Sequence, residues 1–159
     1  MAWLIRKNKG FTLVEALFAI AMLLLLSVGS VAANKVATAG VKINQYRSQA
    51  NFLATEGMEA LMSVRVQNFS GLSSGVFHPV FDGANWSLVA GPETLGNFTR
   101  TITLSSVMRN LTCFSAVCDI VSAGGIVDTN TFKVEVKIAW IESSKTNNLI
   151  LDSLITNWR

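Results

Sequence analysis

The side chains able to do chemistry are few and scattered in this chain of 159 residues. Glu15 heads a stretch without charge that runs through ALFAIAMLLLLSVGSVAA, residues 16–33. A carboxylate inside a bilayer costs on the order of 3 kcal/mol, so an acid at this place needs a partner or a task. At the first turn of a helix it gains from unsatisfied N–H groups and the positive dipole end. Cys113 and Cys118 are near enough in sequence to close a short disulfide loop, contributing roughly 2 kcal/mol. An exported head would make the disulfide the default; unlinked thiols on a hairpin are the alternative. His78, the only histidine, lies in GVFHPVF between apolar residues, where it reads as a packed or surface loop residue. Glu56 and Glu59 are one helical turn apart and read as part of a solvated helix face.

These residues do not add up to a catalyst. One histidine, with no cysteine near it, leaves little for a Ser-His-Asp or Cys-His arrangement. The cysteine spacing is wrong for zinc, no acidic run has calcium-loop spacing, and no Walker A loop occurs. The sequence therefore predicts no enzyme, no metal and no cofactor. The formal charge of +3 is equally uninformative about ligands once it is placed. Arg6, Lys7 and Lys9 lie in an N-terminal stretch without acids, and beyond them the basic residues equal the 10 acidic ones in number. A neutral remainder gives no support to nucleic-acid binding. Basic residues beside an apolar segment instead set orientation, since they stay on the cytoplasmic side.

Residues 11–33 are long and apolar enough to cross a hydrocarbon core of roughly 30 Å as a helix. A secretory signal has a similar order but a shorter apolar part, and here the helical pattern runs on. From Asn34 to Phe69 there is no proline, and Val36, Ile43, Ala50, Gly57 and Val64 recur every seventh position. Ala39, Tyr46, Leu53, Ala60 and Leu61 fill the rows between them, so residues 34–68 form an amphipathic continuation of the same helix. The stripe is rich in small residues, which suits close packing on a flat sheet.

Past the Ser- and Gly-rich stretch 68–75 the period changes to two. Phe98, Ile102 and Leu104 alternate with threonines, with Arg100 on the apolar side. Phe132, Val134, Val136, Ile138 and Trp140 alternate with Lys133, Glu135 and Lys137. Residues 149–158 make a further strand beyond the polar stretch 142–148, and 76–81 and 86–89 are weaker ones. Gly124-Gly125 and Asp128-Thr129-Asn130 mark turns. Residues 69–159 therefore form a β-rich head, a small antiparallel sheet whose dry face the amphipathic helix covers. The expected fold is α+β, one long helix packed on that sheet.

KGFTLVE, residues 9–15, behind a basic leader and before an apolar helix, resembles the processing site of type IV prepilins. The helix-then-sheet order resembles the pilin lollipop over the whole length. LATEGMEALMSVR, FTRTITL, VEVKIAW and the ending LITNWR resemble PilV-type minor pilins. The proline that many major pilins carry in the apolar helix is missing, and the close-spaced cysteines differ from their long disulfide loop.

The resemblance implies a role for each part. Residues 1–10 would be a leader removed by a membrane-embedded prepilin peptidase, cutting between Gly10 and Phe11. Phe11 would carry the N-methylated amine, and Glu15 would meet the terminal amine of an adjacent subunit. The partners implied are the peptidase, other pilin subunits, the pilus assembly platform and the membrane before assembly. The head would be extracytoplasmic, and later part of a surface filament. The rival expectation is a single-pass membrane protein with a binding or adhesin head that never polymerises, which has no use for the cut at Gly10.

Overall fold

The computed structural model describes residues 12–110, 119–142 and 144–157. The unbroken helical period becomes one α-helix, α1 (Leu13–Asn68, 56 residues), closed by a short 3-10 turn at Phe69–Gly71. The chain divides into two units, Met1–Gln45 and Tyr46–Arg159.

In the first unit α1 buries nothing: Leu17, Phe18 and the run Leu23–Leu26 are all exposed. Val36 and Ile43, at seventh positions of the predicted stripe, are exposed as well. Coverage of the stripe is confined to the second unit, where Ala50, Ala54, Gly57, Leu61 and Arg65 are buried. Their spacing of three and four places them on one face.

That face packs on an antiparallel sheet. Its strands are β1 (Gly75–Phe81), β2 (Trp86–Ala90), β3 (Glu93–Leu95), β4 (Phe98–Arg109), β5 (Ile120–Val121), β6 (Ile126–Glu142) and β7 (Lys145–Thr156). The order is β2-β1-β4-β6-β7, with β3 and β5 also pairing with β4. The inward residues are those whose period of two marked them: Phe98, Ile102 and Leu104 on β4, and Val134, Val136, Ile138 and Trp140 on β6. Ile155 of β7 completes the core. Tyr46, Phe98 and Trp140 form a chain of tilted rings, each 5.9 Å from the next. The small helix residues let these large ones approach the α1 backbone.

Two turn expectations needed correction. Asp128–Asn130 bends the chain without ending a strand. The β4–β6 register jumps from Ser106–Phe132 to Val107–Asp128, so the extra residues bulge out within β6. Asp128 has the turn chemistry expected of it, accepting the Asn130 N–H at 2.8 Å. It also pairs with Arg109 at 2.6 Å, which holds the bulge to β4. Burial raises the Asp128 pKa, but the bonds from Arg109, Thr131 and Asn130 outweigh it and leave the carboxyl below the usual range. The polar stretch 142–148 is likewise mostly strand: Glu142 pairs with Lys145 across a tight hairpin with Ser144 at φ 66°. Long polar side chains survive there because β7 is an edge strand and meets water.

The β1–β2 hairpin closes on Asp82, whose Oδ1 accepts the N–H groups of Ala84 at 2.9 Å and Asn85 at 2.7 Å. Gly83 supplies the positive φ of 97°. The Asn85 bond first, and then the Ala84 bond, lower the Asp82 pKa. A folded pKa below the unfolded one stabilises above the unfolded value of about 3.9 and is lost as pH falls through the folded one. The Ala84 and Asn85 amides are therefore expected to lose hydrogen-exchange protection on acidification below that value. Asp82→Ala should remove the pH dependence, leaving these amides poorly protected at all pH.

Candidate functional site

At its start α1 is organised by residues that can be read locally. Thr12 stands before the first helical residue, and its Oγ1 accepts the Glu15 N–H at 3.4 Å. The Thr12 carbonyl accepts the Ala16 N–H at 3.1 Å, the first bond of the helix ladder. Thr12-Leu13-Val14-Glu15 thus has the T-x-x-E spacing of a capping box, with the Thr12 half of it formed and Glu15 in the third helical position. Glu15 lies in the first turn of α1, where the helix dipole favours an anion. Among the described residues no cation lies within ion-pair distance of it.

Behind Glu15 the helix is long and apolar enough to cross a membrane. Its few polar side chains are satisfied internally. Ser27 and Ser30 donate to the carbonyls of Leu23 and Leu26, at 2.7 and 2.9 Å. A lipid environment demands such self-sufficiency, because it has no water to offer. Gly10, Phe11 and the leader residues Arg6, Lys7 and Lys9 lie outside the described residues, as do Cys113 and Cys118.

In the head the main polar constellation is one that sequence reasoning missed. Arg100 is 3% exposed, in phase with the core residues of β4. Its guanidinium gives Nε to Glu93 at 2.6 Å, and Nη1 to both Glu56 at 3.0 Å and the Leu53 carbonyl at 3.1 Å. Glu56 is therefore not a solvated helix residue: it closes an ion pair between α1 and β4, while Glu59 is exposed. The signal was present in the sequence, since a charge in the apolar phase of a strand must find a counter-charge. What sequence could not supply was which carboxylates. Arg65 makes the other link, donating Nε to the Thr156 carbonyl of β7 at 2.9 Å, with Nη2 on the same oxygen.

His78 is not a loop residue: it lies in β1, with Nδ1 2.9 Å from the Gly91 carbonyl. A carbonyl accepts only, so Nδ1 carries the proton and the ring ties β1 to the end of β2. This arrangement is structural. The chemistry on show is that of an apolar helical segment and, in the second unit, a sheet braced by two arginines onto residues 46–68 of α1.

Against this geometry, residues 5–31 match the family model described as the prokaryotic N-terminal methylation motif. That segment takes in Arg6, Lys7, Lys9 and Gly10, the turn with Glu15 and most of the apolar run, so the likeness to type IV prepilins lies in this N-terminal stretch. Neither the curated proteins nor the solved structures gave a match.

Proposed function

We propose that this chain is a structural subunit, of the minor pilin kind, of a type IV pilus or a related filament. The observation that carries the reading is the methylation motif at residues 5–31, whose described part from Thr12 onward opens an apolar helix with Glu15 in its first turn. Prepilin peptidase removes residues 1–10, and Phe11 becomes the N-methylated terminus. Arg6, Lys7 and Lys9 hold the leader on the cytoplasmic side until then. Residues 11–33 are the membrane and filament-core segment, and residues 34–68 carry the helix into the head at 69–159.

Glu15 is the assembly contact. The new amine of an adjacent subunit is a cation that can meet its carboxylate in an apolar bundle, where little else sets axial register. The head is extracytoplasmic, with Cys113 and Cys118 joined there, and the assembled filament is at the cell surface. Other pilin subunits and the assembly platform are the partners. No catalytic role is proposed.

The test is the intact mass and N-terminal sequence of the protein from cells containing a prepilin peptidase. A chain beginning at Phe11, heavier by one methyl group, is expected, and Gly10→Val should leave the chain at full length. A wild-type chain beginning at Met1 would sink the filament reading and leave a signal-anchored binding protein. With processing established, Glu15→Ala is expected to give cleaved protein that stays in the membrane and is absent from sheared filaments.

A further inference from the structure

We propose that the free edge of β7 is a self-pairing surface, through which two copies of this chain join their sheets antiparallel about a two-fold axis at Ile150. Among the described residues no strand pairs with the outer side of β7. The strand is 12 residues long, contains no proline and keeps an unshifted register along β6. Natural edges of this length usually carry a bulge, a proline or dense charge, because unpaired backbone groups recruit other strands. Here Ile150, Leu151 and Leu154 are 49%, 37% and 50% exposed, and Asp152 is the one charge between Thr146 and Ile155.

Which backbone groups face outward can be read from the end of the strand. The Asn157 N–H turns to β6, donating to the Asn130 carbonyl at 2.8 Å, whereas the Thr156 carbonyl is taken by Arg65. Alternation then directs the N–H and C=O groups of Asn148, Ile150, Asp152 and Leu154 to the open edge. Arg65 closes that edge at Thr156, so the exposed template is residues 146–154.

The occupant follows from complementarity. Continuing the sheet by simple repetition would set β7 against β2 of the next copy. Every neighbouring pair in the order β2-β1-β4-β6-β7 is antiparallel, so β2 and β7 run the same way and would pair parallel, over only the five residues of β2. A two-fold contact is antiparallel and uses β7 twice. Centred on Ile150, it sets Ile150 on Ile150, Leu149 on Leu151, Asn148 on Asp152 and Asn147 on Ser153. At these positions apolar meets apolar and polar meets polar, and only the outermost pair, Thr146 on Leu154, is mixed. Centring on Leu149 or Leu151 sets Ile150 against Asn148 or Asp152, and centring on Asp152 opposes two carboxylates.

The two-fold also turns the head segments of α1, residues 46–68, in opposite directions. Successive subunits of a polar filament share one direction, so this contact joins heads on facing surfaces or in separate filaments. It does not depend on the filament reading.

The experiment is cysteine cross-linking of the full chain purified in detergent, with the wild type, which keeps Cys113 and Cys118, as the baseline. Residues opposed in such a pair have Cα atoms about 5.5 Å apart, within disulfide reach. Ile150→Cys is expected to give a covalent dimer several-fold above wild type. Thr146→Cys, which faces Leu154, should stay at the baseline, and Thr146→Cys with Leu154→Cys in one chain should restore the dimer. Equal dimer from Ile150→Cys and Thr146→Cys, or none above baseline from either, overturns the proposal. As a second measurement, Ile150→Pro removes the outward N–H at the axis, which an edge strand tolerates. It should abolish the dimer in sedimentation with the head's circular dichroism unchanged; a persisting dimer overturns the proposal.

Discussion

Replacing Arg100 by alanine is expected to destabilise the head by about 3 kcal/mol, the lower end of the range for breaking a buried ion pair. The side chain of Arg100 is 4% exposed, and its loss strands Glu56 and Glu93 against an apolar sheet. Both carboxylates keep some access to water, at 34% and 19%, which holds the cost to the lower end. The Leu53 carbonyl, deep on the helix face, loses its extra donor at the same time. Arg100→Lys keeps the charge but not the fork that reaches three acceptors on α1 and β3, so it should recover only part of the loss. Glu93→Gln should cost more than Glu56→Gln, because Glu93 is the more buried partner. Urea unfolding of the chain in detergent, followed by head circular dichroism, reads all four variants as shifts in midpoint with unchanged slope. An Arg100→Ala head as stable as wild type would show that the triad is not a brace.

Gly57→Val is expected to cost about 2–3 kcal/mol through overpacking. An added Cβ at Gly57 would lie 3.3 Å from both Arg100 Cδ and Val136 Cγ1, and 3.7 Å from Ile102 Cδ1. None of these can retreat easily. The Arg100 stem is held by its ion pairs, while Val136 and Ile102 are fully buried. A β-branched side chain pushes further still and would lift α1 off the sheet. Gly57→Ala adds one methyl group and gains about 1 kcal/mol of helix propensity, so its net effect is smaller. Gly40→Ala is the control: nothing lies within 4 Å of its Cβ position, and the head's unfolding midpoint should not move. A Gly57→Val head that unfolds like wild type would contradict the close approach of helix and sheet.

How far each part of the molecule could be read beforehand follows from the range of the forces involved. The helix was legible because its signals are local. Uninterrupted apolar residues, a 3.6 period without proline, and a Ser- and Gly-rich stop near residue 70 need no partner to be recognised. Strands β4 and β6 were legible for the same reason, since Val134, Val136, Ile138 and Trp140 declare a buried face by alternation alone. The cap at Thr12 went unread, although its spacing to Glu15 is a local signal, whereas the methylation motif is a match in sequence.

Sequence by itself thus determined the long apolar helix, the class of fold and the N-terminal motif. The tertiary structure alone decided what the head's charges are for. Glu56 differs from Glu59 only because Arg100, distant along the chain, arrives beneath one of them and not the other. Which turn residues end a strand and which bulge within it, as at Asp128, depended on a register shared by β4 and β6. That β7 is an edge depended on the order of all the strands. These are pairings between distant parts of the chain, and a periodic pattern carries the face a residue shows but not the neighbour it meets.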